Sequence, residues 1–74
     1  MIRVTYKKHF LTGPEKGTFK EITQDINGWD QAVNFLRILA EVTKLFPTKD
    51  PETEELCYVS DINYEGMKAR KQVS

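Results

Sequence analysis

The sequence predicts a small α+β domain of order β-β-α-β, a three-stranded antiparallel or mixed sheet with one helix packed on a face. Three observations predict it. Residues Ile2 to Phe10 alternate between apolar and polar, the period of a half-buried strand. Gly13, Pro14 and Gly17 follow and reverse the chain. Asn27 to Phe46 then carries apolar residues at three- and four-residue spacing, the pattern of an amphipathic helix.

Along the first strand, Ile2, Val4, Tyr6 and Phe10 share a face that Lys8 interrupts, and Arg3, Thr5, Lys7 and His9 share the wet one. Thr18 to Asp25 is rich in β-branched and aromatic residues and predicts the returning strand of a hairpin. Its register is ambiguous, because Phe19 and Ile22 fall on opposite faces. Asn27 is the expected N-cap, with Asp30 in the first turn favouring the positive end of the helix. Pro47 ends the helix by pushing the preceding residue out of the helical region. Thr48 to Glu55 is a polar, acidic connection. Leu56 to Tyr64 predicts the third strand, with Leu56, Tyr58, Ile62 and Tyr64 on one face and Cys57 and Val59 on the other. It follows a crossover, so a parallel placement is open.

The helix holds the main candidate surface. At about 100° per residue, Trp29, Ala32, Val33, Leu36, Leu39, Ala40 and Thr43 gather on a stripe expected to press on the sheet. Asp30, Asn34, Arg37, Glu41 and Lys44 form a narrow polar side. Phe35, Ile38, Val42 and Leu45 make a second stripe beside the first, and one sheet face does not cover both. Either another segment or the core takes the second stripe, or it stays exposed as a protein interface, self or foreign. A homodimer through the helix is one such outcome.

The 74 residues support one core. Residues 1–66 are expected to form a single compact domain and 67–74 a flexible basic tail. Charged residues are 30% and hydrophobic ones 39%, a globular composition. Net charge is zero, which argues against a global basic field for nucleic acid. Charge is unevenly spread, however, and Asp50, Glu52, Glu54 and Glu55 form an acidic segment that could meet a basic partner. The lone Cys57 permits no internal disulfide, no apolar run reaches membrane length, and no signal peptide is expected. A reducing, cytoplasmic location is expected, with no membrane partner.

No catalytic constellation is expected. One histidine, His9, and one cysteine do not assemble a soft-ligand metal site. The residues from Asp50 to Glu54 lack the glycine and terminal glutamate of a calcium loop. Gly13 and Gly17 are not followed by the lysine and helix of a phosphate loop. No cofactor is expected. The alternative to protein binding is a single-stranded nucleic-acid or RNA-binding module using the basic first hairpin, through Arg3, Lys7, Lys8 and Lys20.

Two strands, an asparagine-led helix opening on Asp30-Gln31-Ala32-Val33 and one further strand make a layout across residues 2–64. That layout resembles small phage-encoded accessory proteins, such as short inhibitors of bacterial RNA polymerase and compact anti-CRISPR proteins. No family motif transfers residue by residue. The resemblance implies a non-catalytic binder that inhibits or redirects a host protein.

Overall fold

The computed structural model describes residues 1–66. The expected tail, 67–74, lies outside the described residues. The elements are β1 (Ile2–Phe10), β2 (Phe19–Ile26), α1 (Trp29–Glu41), β3 (Thr48–Lys49) and β4 (Leu56–Glu65). The class is α+β, but the sheet has four strands where three were expected, in the order β2-β1-β4-β3. Every neighbouring pair is antiparallel. The crossover through α1 therefore carries β4 to the far side of β1 from β2, parallel to β2 but not paired with it. The extra strand is two residues long, too short to show any periodicity.

The first hairpin forms as its turn residues predict. Gly17 N–H donates to Phe10 O at 2.9 Å, and Gly13 takes φ +83°. A Cβ at Gly13 would also meet the end of the Glu55 side chain, which could shift aside, so it is the left-handed backbone that favours glycine there.

Two expectations for β4 change together. Register with β1 slips between Thr5 and Lys7, because β4 spends one extra residue there, and Asp61 adopts φ +53°. This is a β-bulge. Simple alternation puts Ile62 and Tyr64 with Leu56 and Tyr58. The bulge moves them to the face of Cys57 and Val59, where Val4 pairs with Tyr64 and Lys8 with Val59.

The core lies between this face and α1. Ile2, Val4, Tyr6, Ile26, Ala32 and Leu39 are buried, and Ile22, Phe35, Leu36, Val59 and Ile62 pack against them. Tyr6 and Phe35 meet edge to face, centroids 6.1 Å apart.

The helix is rotated from the expected orientation. Ala32, Phe35, Leu36 and Leu39 straddle the boundary between the two apolar stripes, and that boundary faces the sheet. Phe35, assigned from sequence to the outer stripe, is therefore packed on the core. Trp29 and Val33, assigned to the inner stripe, remain 40% and 45% exposed, and Ile38 remains 51% exposed on the opposite flank.

The helix is also shorter than expected. Its N-cap is Gly28, not Asn27, with no side-chain cap bond. Its last residue is Glu41. Val42 has left the helical region at ψ 84°, and its carbonyl accepts the amide of Val59 at 3.0 Å. Val59 sits beyond the two-residue reach of β3, so its outward amide needs a partner and Val42 supplies one. A turn follows, in which Phe46 N–H donates to Thr43 O and lies 3.2 Å from Thr43 Oγ1. Leu45 and Phe46 thus leave the helix altogether.

Candidate functional site

Two surfaces combine unusual side chains with exposure: the end of α1 with the turn after it, and the open face of the sheet.

On the first, Leu45 is 85% and Phe46 74% exposed, with Ile38 on the outer flank of α1. Val42 is half-buried. Of the second apolar stripe, then, Ile38 and Leu45 face solvent, Val42 does so in part, and Phe35 belongs to the core.

The acidic segment divides in the same way. Asp50 is buried and bonds Lys8 Nζ at 2.5 Å through Oδ1. Its Oδ2 accepts from the amide and the hydroxyl of Thr53, at 3.2 and 3.1 Å. The Lys8 bond leads in holding the Asp50 carboxyl below its ordinary value, and the two Thr53 bonds add to it against the opposing effect of burial. Burial works against the Lys8 ammonium, but the bond to Asp50 and its charge outweigh it, and the Lys8 pKa stands above the ordinary value. Glu55 is half-buried and accepts from Thr12 Oγ1 at 3.0 Å, tying this loop to the first hairpin. Asp50 is therefore a structural anchor and not part of a solvated charge run. Glu52 and Glu54 are the members that face outward.

The four cations proposed for nucleic acid all hold acidic partners. Arg3 pairs with Asp25 at 3.0 Å, Lys7 with Asp61 at 3.2 Å, Lys8 with Asp50, and Lys20 with Glu15 at 3.4 Å. The first strand carries its charge already matched, so this set offers little unneutralised charge for phosphates.

The open face holds what the sequence did not reveal. His9 lies opposite Phe19 on β2 and opposite Tyr58 on β4. The His9 and Tyr58 rings are stacked, centroids 4.6 Å apart and planes 6° from parallel, and Phe19 is tilted against the other side of His9 at 5.4 Å. His9 Nε2 is 2.6 Å from Ser60 Oγ, which fixes the imidazole in the row. Lys7 Nζ stands 5.1 Å from the Phe19 ring centroid. α1 is the only helix among the described residues and packs on the other face. The row needs two registers at once, and only the combination Phe19 opposite His9 opposite Tyr58 creates it. The exposed position of Phe19, facing away from Ile22, is the one signal in the sequence that could have pointed there.

Among the described residues no group of three or more histidine, cysteine or acidic side chains is placed to hold a metal, and no helix is long and apolar enough to cross a membrane. Burial raises the Cys57 thiol above its ordinary pKa, which disfavours the reactive thiolate. No known protein family, curated protein or solved structure matches the chain.

Proposed function

We propose that the chain is a non-catalytic protein-binding module whose contact surface is the outer flank of α1 and the turn that follows it. One observation carries this reading: Leu45 and Phe46, adjacent in sequence, are 85% and 74% exposed. Leaving two large apolar side chains in water forgoes about 1.5–3 kcal/mol of burial for each, and such surface on a small domain marks a contact. Ile38 extends the surface along α1, and Glu52 and Glu54 supply acidic rim charge from the connection to β4. The buried thiol of Cys57 suits a reducing compartment such as the cytoplasm. The layout resemblance would make the partner a component of a host cell's machinery; a second copy of the chain is the other occupant of this class.

Sedimentation equilibrium separates self from foreign association, and a photo-reactive residue in place of Phe46 captures a foreign partner covalently. Ile38→Asp and Phe46→Asp should each change unfolding free energy by no more than about 0.5 kcal/mol while abolishing dimerisation or capture. A chain that stays monomeric at every concentration and yields no crosslink sinks the reading. So does an Ile38→Asp variant that unfolds, because Ile38 would then be core.

A further inference from the structure

We infer that the open face of the sheet binds a short single strand of nucleic acid at its Phe19–His9–Tyr58 end. This site shares no residue with the protein-binding surface proposed above or with the basic set Arg3, Lys7, Lys8 and Lys20.

The rings supply the first part of the argument. Aromatic side chains on neighbouring strands of an uncovered sheet are a sequence-tolerant platform for bases, because every base has a π-face. Here the row crosses β2, β1 and β4, and Phe19, at one end of it, is 53% exposed. The His9–Tyr58 pair is already stacked, so an added base extends a formed stack and need not order one.

Charge supplies the second part. The open face is divided along its strands. Towards the Arg3 end it carries Glu21, Asp25, Asp61 and Glu65 around Arg3 and Lys7, both of which are paired. At the ring end the balance reverses. Lys49 pairs with Leu56 on β4, two residues from Tyr58 and on the same face. Where that end of the sheet meets the first hairpin and the turn after α1, Lys16 and Lys44 line a shallow depression of about 250 Å³ with His9, Phe10, Leu11, Thr18 and Tyr58. Among the described residues Lys16, Lys44 and Lys49 form no ion pair, unlike the four cations proposed from sequence. Rings beside unneutralised ammonium groups match a ligand that alternates π-faces with anions. An acidic peptide would engage the lysines and leave the rings unused. The acidic Arg3 end repels a phosphate chain and limits the footprint to a few nucleotides.

The test is fluorescence anisotropy of the full chain with a labelled oligothymidylate of about six nucleotides. Three lysines predict a slope of about −2 for log K against log salt, near −0.7 per phosphate. Lys44→Gln should make that slope shallower by about 0.7. Phe19→Ala or Tyr58→Ala should weaken binding by about five- to 150-fold for the stacking lost, with circular dichroism confirming the fold. Ile38→Asp should leave binding unchanged, which keeps this result separate from that of the protein-binding surface. A stably folded hairpin whose stem presents the same bases as a duplex should bind more weakly than the single strand. The inference is overturned by any of three results: no anisotropy change at low salt, Phe19→Ala and Tyr58→Ala variants that both bind as the wild type does, or an acidic peptide of equal charge that binds as tightly.

Discussion

The two faces of β1 are built from alternate residues of one strand, and they obey different rules. On the helix side Ile2, Val4, Tyr6 and Phe10 are buried, Val4 completely. On the open side Arg3, Thr5, Lys7 and His9 lie opposite side chains of the neighbouring strands β2 and β4, with no helix over them among the described residues. The covered face contributes by removing apolar area from water, roughly 25 cal/mol per Å². The open face contributes through cross-strand pairs, each worth about 0.2–1 kcal/mol. The contrast has one exception. Lys8 belongs to the covered face by its register and would leave a half-buried charge there. Asp50 arrives from the β3–β4 loop to pair with it. Folding thus depends mainly on the covered face and on that one imported acid, which leaves the side chains of the open face less constrained by stability.

The sharpest way to break this contrast is at Leu39. It is 6% exposed and lies in the centre of the helix-side core. Leu39→Ala should lower unfolding free energy by about 2–5 kcal/mol, a large fraction of what a 74-residue chain has. Urea denaturation followed by circular dichroism reads the loss. A cost below about 1 kcal/mol would mean that α1 is not what stabilises the sheet.

Next comes the exception. Asp50→Ala removes a charged hydrogen bond and two bonds from Thr53. It should cost about 1–3 kcal/mol, and Asp50→Asn should cost less because it can still accept from Thr53. The pair also gives stability a pH dependence. The folded-state pKa of Asp50 is depressed below the ordinary 3.8, so its contribution is complete well above that value and is lost as pH falls through the folded pKa. That of Lys8 is raised above 10.5, so its contribution is complete below 10.5 and is lost as pH rises through the folded value. Unfolding free energy of wild type minus that of Asp50→Ala should therefore be flat through neutral pH and shrink at both extremes. A difference independent of pH would show that the pair is not what the mutation removes.

Much of the covered face was legible in sequence because it depends on local period. The alternation from Ile2 to Phe10 and the turn at Gly13, Pro14 and Gly17 specify β1 and its hairpin without reference to any other segment. The helix was legible in kind but not in rotation or length. Its rotation is set by where Tyr6 meets Phe35, and its end by the amide of Val59 reaching Val42, both of them contacts between distant segments. The bulge at Asp61 was invisible for the same reason, since an extra residue has meaning only against a partner strand. Asp50 is 42 positions from Lys8, and nothing in a run of acids distinguishes the one that turns inward. The aromatic row was the least legible feature, since it joins residues from three strands, none of which places the rings together by itself.

The smallest expected effect is the one that most sharpens the contrast. Phe19 is 53% exposed and is in contact with the His9 ring and the Lys7 ammonium. Phe19→Ala removes one cross-strand aromatic pair and one exposed cation–π contact, and should cost about 0.5–1 kcal/mol. Thermal unfolding measures this directly. If the value approached that of Leu39→Ala, the open face would be part of the stabilising structure, and its rings would need no ligand to explain them. If the cost stays small, the ordered stack of Phe19, His9 and Tyr58 contributes little to folding for the apolar surface it leaves in water. What it does offer is a ready-made surface on which another ring can settle.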